Sequence, residues 1–136
     1  MGSTVVHNCE NMNFNITHVS AKDYLLIEVT GGANINLLKG LVRQVLDDPA
    51  WHETIPSLVD LRGMSASSLS SDDIFELADL FKSINTTLGS GNTALVVSQE
   101  LEFGLARMWQ MMTEEYVQME IDVFKNIDEA QKWLVQ

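Results

Sequence analysis

Apolar residues recur along this chain with two different periods, and the switches between them mark the elements. Phe14, Ile16 and Val19 predict a short strand, and Ala21-Lys22-Asp23 a hairpin connection into Tyr24-Leu25-Leu26-Ile27-Glu28-Val29-Thr30. The second run is apolar almost throughout, the pattern of a strand covered on both faces, and Gly31-Gly32 breaks it. Ile35, Leu38, Val42, Val45 and Leu46 then follow helical spacing until Asp47-Asp48-Pro49 ends it. Beyond a loop holding Trp51, His52 and Pro56, the run Ser57-Leu58-Val59-Asp60-Leu61-Arg62 predicts a short strand, and Gly63 to Ser71 a serine-rich loop. Ser70 or Ser71 caps the next helix, and Asp72 and Asp73 sit in its first turn, at the positive end of the helix dipole. Ile74, Leu77, Ala78, Phe81, Ile84 and Leu88 supply its buried stripe.

Gly89-Ser90-Gly91-Asn92 predicts a turn, and Thr93-Ala94-Leu95-Val96-Val97-Ser98 a central strand. Ser98 is placed to cap a helix over 99–115, with Leu101, Leu105, Met108 and Met112 on one face. Met119 to Phe124 predict a further strand, and Asn126 with Glu129 has the capping-box spacing at the start of a last helix carrying Ala130, Trp133 and Leu134. The order is β-β-α-β-α-β-α-β-α. It predicts an α/β domain with a single mixed, mostly parallel sheet of about five strands and helices packed outside. Residues 1–12, polar and without period, read as a flexible N-terminal tail ahead of a domain over 13–136.

Length and composition narrow the function classes. A chain of 136 residues is the size of one domain, and 46% hydrophobic residues suffice for a packed core. With 19 acidic against 8 basic side chains the formal charge is −11, which opposes binding to nucleic acid, where Lys and Arg must neutralise phosphate. Cys9 stands alone, so no intrachain disulfide forms, and with no signal-peptide pattern at the start the expected location is cytoplasmic. No apolar run reaches the roughly 20 residues of a membrane span.

Particular words in this order resemble the SpoIIAA-like family, whose fold is shared with the STAS domains of anti-sigma-factor antagonists and anion transporters. They are Leu26-Ile27-Glu28-Val29-Thr30-Gly31, Val59-Asp60-Leu61-Arg62, Ser70-Ser71-Asp72-Asp73-Ile74, and Val123-Phe124 followed by Asp128-Glu129-Ala130 and Trp133-Leu134. The resemblance is to the branch of small stand-alone SpoIIAA-like proteins and spans about residues 13–136. It implies a non-enzymatic regulatory domain that binds a protein partner or dimerises. The antagonists carry an Asp-Ser-Ser-Gly-like word whose Ser is phosphorylated, whereas here the stretch is Ala66-Ser67-Ser68-Leu69-Ser70-Ser71-Asp72. Ser68 and Ser70 match by loop position only, and Asp72 and Asp73 would repel an added phosphate.

Several residues invite a functional reading beside a plainer one. Asp60 and Arg62, two apart on a strand, share a face near its predicted end, either as an anion site or as a structural ion pair. Ser68 and Ser70 offer a phosphate cradle or ordinary capping. At about 100° per residue, Phe75, Phe103 and Met111 fall off the expected buried stripes and should be exposed. Trp109 falls at a stripe edge among Met108, Met111 and Met112, soft side chains suited to an adaptable surface or an apolar cavity. His7, Cys9 and Glu10 lack the further ligands a metal site needs, and His18 and His52 stand isolated in the sequence. No nucleophile–base pair, dinucleotide fingerprint or P-loop is visible, so neither a catalytic set nor a cofactor is expected. The expected partner is a protein or a second copy. The alternative is a small apolar, lipid-like ligand, with at most peripheral membrane contact, because the layout also resembles CRAL-TRIO lipid-binding domains.

Overall fold

A computed structural model describes residues 11–135; most of the expected tail, with His7, Cys9 and Glu10, lies outside them. Strands β1 (Asn13–Val19), β2 (Tyr24–Gly32), β3 (Ser57–Ser65), β4 (Thr93–Val96) and β5 (Ile121–Phe124) form one sheet in chain order. β1 pairs antiparallel with β2, and all later neighbours are parallel. The four helices among the described residues are α1 (Ile35–Asp47), α2 (Ser71–Ser83), α3 (Glu100–Thr113) and α4 (Ile127–Leu134). Fold class and element order are those the hydrophobic pattern predicts.

Strand alternation sorts the side chains into two layers. On one face Ile27, Val29, Val59, Leu61, Leu95, Val97, Ile121 and Val123 pack under α1, α2 and α3. On the other, Leu58, Ala94 and Val96 are covered by Ala130 and Leu134 of α4. β4 has both faces covered, and Ala94, Leu95, Val96 and Val97 are all buried.

β2 does not have both faces covered along its length. Leu25, Ile27 and Val29 are buried, but Glu28 and Thr30 between them face water. The reason is the length of α4: its 8 residues span only about 12 Å at 1.5 Å each, while the 9 residues of β2 span about 30 Å at 3.3 Å each, so coverage reaches Tyr24 and Leu26 and gives out before Glu28. α4 therefore covers part of its face and leaves the rest bare.

Several boundaries also move: β4 ends at Val96 and not Ser98, β5 starts at Ile121 and not Met119, and α2 ends at Ser83, short of Ile84 and Leu88. β2 runs through Gly31 and Gly32, which pair with Met64 and Ser65 after a register shift between Glu28 and Thr30. Gly31 has φ +86°, and a Cβ there would lie 2.0 Å from the Asn11 carbonyl oxygen, so only glycine fits. β3 likewise continues to Ser65, which shortens the serine loop.

Helix α3 carries the main correction. Leu101, Leu105, Met108 and Met112 do not form its buried stripe: Leu101 is exposed and the other three are half-buried. The helix buries Glu102, Ala106, Trp109, Gln110 and Thr113 instead, about 100° further round. Glu102 accepts a hydrogen bond from the Ala66 N–H at 2.8 Å, and the Gln110 amide donates to the Ile121 carbonyl at 2.6 Å. Those two bonds offset part of the cost of burying Glu102 and Gln110, while Gln110 Oε1 and the Thr113 hydroxyl are buried without a partner. Ser98 does not cap α3 either; Gln99 holds that position without a side-chain bond, while the Ser98 hydroxyl donates to the Arg62 carbonyl at 3.4 Å.

Candidate functional site

Two surfaces and one interior space hold the residues singled out from the sequence. The first surface is the bare half of the sheet, formed where α4 falls short. Alternation brings Asn13 and Asn15 of β1, Glu28 and Thr30 of β2, and Asp60 and Arg62 of β3 onto it. Asp60 and Arg62 lie mid-strand, since β3 outruns β4, whose last paired residue, Val96, sits opposite Asp60.

Asp60 grips Arg62 with both carboxylate oxygens. Nε donates to one at 2.9 Å and Nη2 to the other at 2.8 Å, while the Arg62 backbone N–H donates to the first at 3.1 Å. This fork holds the Asp60 carboxyl below the usual carboxylate range, against the opposing effect of its own burial. The Asp60 side chain is 13% exposed and that of Arg62 44%. The same fork raises the Arg62 pKa, and Glu28 adds a smaller push in the same direction. A guanidinium already held by one carboxylate and facing a second has little positive potential left for an anion. The geometry is that of a structural ion pair.

The serine loop is occupied in the same plain way. The Ser70 hydroxyl accepts from the Asp73 N–H at 3.1 Å and the Asp73 carboxylate accepts from the Ser70 N–H at 3.0 Å, a complete capping box at the start of α2. Ser68 is exposed at the turn, and the Ala66–Glu102 bond ties this loop to α3.

The second surface lies on α2 and α3. Phe75 is 46% exposed, Leu101 50% and Met111 67%. Phe75 occupies the flank of α2 that also carries Lys82, whose ammonium sits 4.4 Å from the Tyr116 ring just beyond α3. That flank therefore faces α3, where Leu105, Met108 and Met112 are half-buried beside the exposed Leu101. Phe103 is not part of it. Its ring is half-buried towards β5, under the Lys125 ammonium at 4.8 Å, because the start of α3 overlies the end of that strand. Trp109 is not a surface residue either: it is buried with its ring 4.8 Å from that of Phe81, edge to face.

The interior space lies between α1, α2, α3 and the sheet. It is an apolar pocket of about 200 Å³, half open to solvent and lined by Trp51 from its loop and Trp109 from α3. Helical and strand periods identified most of its walls as core, but nothing in them announces an unfilled volume.

One cluster went unseen in the sequence. His18 and His52 are not isolated: both reach Asp23, at 2.8 and 3.3 Å, and Thr54 meets the other nitrogen of His52 at 3.2 Å. Asp23 sits in the β1–β2 turn with φ +52°, and hydrogen bonds from His18 and then His52 lower its pKa. The order of groups has the look of a proton relay, but the cluster is exposed, with no wall to exclude water from a reacting group. Among the described residues, no group of three or more His, Cys, Asp and Glu is arranged to hold a metal, and no helix is long and apolar enough to cross a membrane.

Two solved structures share this layout. An uncharacterised protein of the DUF3478 family with a SpoIIAA-like fold, from Shewanella loihica PV-4, superposes with a TM-score of 0.56 at 17% identity, covering 91% of this chain and 94% of its own. An anti-sigma factor antagonist from Mycobacterium paratuberculosis superposes with a TM-score of 0.60 at 12% identity, covering 93% and 97%. The fold is SpoIIAA-like. No protein-family profile and no curated protein matches the sequence. The SpoIIAA-like fold thus stands on shape and element order, with functions to be argued from the surfaces themselves.

Proposed function

We propose that this SpoIIAA-like domain is a non-enzymatic regulatory module of the cytoplasm that works by binding a protein partner through the outer face of α2 and α3. The exposed trio Phe75, Leu101 and Met111 on two adjacent helices carries the reading. Large apolar side chains left exposed on neighbouring helices, a methionine among them, suit an adaptable protein contact. The anti-sigma factor antagonist is a protein named for acting on another protein, and its likeness in shape supports the same class of role. A net charge of −11 makes a second copy a poor occupant of this face, because like-charged molecules repel before their apolar surfaces meet.

The test takes the partner captured by the wild-type chain, purifies it and measures its affinity for Met111→Asp and for Asp60→Asn. A loss of more than about tenfold for Met111→Asp, with Asp60→Asn unchanged, supports this face. Undiminished binding by Met111→Asp sinks it, and a ligand-free dimer in sedimentation that Met111→Asp converts to monomer replaces the partner with self-association.

The cavity favours a second reading, carriage of a small apolar molecule, which needs a space inside the domain rather than a face outside it.

A further inference from the structure

An open sheet ends in two edge strands, and here the two are finished differently. β5 is 4 residues long and has Asp122 within it and Glu120 and Lys125 at its ends, the short length and charge that keep natural sheets from pairing further. β1 is 7 residues long and carries no Asp, Glu, Lys, Arg or Pro. Its register with β2 is unbroken from Asn13 to Val19, so no bulge turns it aside. Among the described residues no strand lies on its outer side, and outside the β2 ladder its only backbone hydrogen bond is the turn contact of the Lys22 N–H with the Val19 carbonyl at 3.3 Å. A row of unmet N–H and C=O groups therefore faces outward from β1.

The apolar surface above that edge is unfinished as well. Phe14 and Ile16 of β1 are half-buried beneath α1. On α1, Leu41 packs with Met12, Ile27 and Val29 towards β1 and β2, whereas Val42 packs towards α2. Leu37 stands one turn before Leu41 and about 140° round the helix from Val42, which puts it on the flank away from α2 and towards β1. There it is 45% exposed.

Charge and symmetry select what covers this side. The outer faces of α2 and α3 expose Asp72, Glu76, Asp79, Glu100, Glu114 and Glu115, so two copies repel there. β1 bears no formal charge, and the mutual repulsion of two chains at −11 is least along it. An antiparallel strand pair is two-fold symmetric, so an edge strand is its own complement and one pairing satisfies the outward groups of both copies. The same two-fold keeps both α1 helices on one side of the joined sheet, with their Leu37 flanks facing.

We propose that this chain forms a symmetric dimer by antiparallel pairing of β1 with β1 of a second copy, which joins two five-stranded sheets into one and turns Leu37 of each copy towards the other. The dimer leaves the outer face of α2 and α3 free for a protein partner.

Sedimentation equilibrium of the full chain is the test. Seven residues of edge and one leucine make a smaller contact than the roughly 1,600 Å² of a standard interface, so the dimer should appear at about 100 µM rather than at nanomolar concentration. Leu37→Glu and Thr17→Lys, both at exposed positions, should each weaken it more than about tenfold by setting like charges against one another at the seam. Met111→Asp, on the other face, should leave it unchanged. Amide hydrogen exchange identifies the strand: protection at alternate residues of β1 should rise with protein concentration in the wild type and not in Leu37→Glu. A wild-type chain that stays monomeric at about 500 µM overturns the proposal. So does a dimer that Met111→Asp dissolves and Leu37→Glu does not. Protection of the β1 edge that is the same at every concentration means that another segment of the chain covers it, and overturns the second copy as the occupant.

Discussion

On one face of the sheet α4 presses Ala130 and Leu134 onto Leu58, Ala94 and Val96, and all five are buried. On the other, three helices cover the sheet and leave a half-open apolar pocket of about 200 Å³. The two faces are covered differently. α4 needs to seat only a few side chains over β3, β4 and β5, while α1, α2 and α3 must meet one another as well as the sheet, with Val42 of α1 packed against the cluster of Ile74, Ala78 and Phe81 and Lys39 paired with Glu76. Stability concentrates under α4, and room for a guest concentrates under α1. The bare part of the α4 face belongs to neither regime: its residues are polar, and its most ordered contact is the Asp60–Arg62 fork.

Truncating one leucine on each face gives the largest contrast. Leu58→Ala, beneath α4, should cost about 3 kcal/mol in denaturant unfolding, because a close-packed site leaves a new cavity. Leu77→Ala, which borders a space that already exists, should cost about half as much. Equal costs would mean that the α1 face is packed as tightly as the α4 face in solution.

The Asp60–Arg62 fork comes next. A carboxylate with a lowered folded pKa contributes stability that is fully present above its unfolded value of about 3.9 and is lost as pH falls through the folded value. Asp60→Asn should therefore cost about 1 kcal/mol at pH 7, and its deficit against wild type should shrink below about pH 4. A deficit that persists undiminished at pH 2 would show that the fork is not its origin. Thr30→Val, on the uncovered strip, should change stability by less than about 0.5 kcal/mol; a larger shift would mean that the strip is covered after all.

How much could be read in advance divides along a related line. In α2 the apolar period and the burial agree as far as Phe81: Ile74, Ala78 and Phe81 are buried, Leu77 is half-buried, and Ser70, one of the two cap candidates, is the cap, but the helix ends at Ser83, so Ile84 and Leu88 of the expected stripe lie beyond it. In α3 the period misled by about a quarter-turn, because the burial of Glu102 and Gln110 is made affordable by backbone partners 36 and 11 residues away. Aliphatic spacing carries no record of those partners. For the same reason Phe103 is expected at the surface but is half-buried, whereas Phe75 and Met111 are exposed; Trp109, expected at a stripe edge beside an adaptable surface or an apolar cavity, is buried and lines the apolar pocket. The His18–Asp23–His52 cluster was equally invisible, since it depends on a loop after α1 returning to the β1–β2 turn. Element order and the parallel pairing of the later strands were legible because each strand after β1 is followed by the helix that returns the chain, and short crossovers leave few alternatives.

That neighbours in the sheet are also neighbours in sequence has a consequence for biosynthesis. A chain emerging from the ribosome can add β3, β4 and β5 one at a time at a single growing edge, with no strand having to wedge between two already joined. The face carrying Leu58, Ala94 and Val96 must nonetheless wait for residues 127–134, so the nascent domain stays greasy on one side until its final helix clears the exit tunnel.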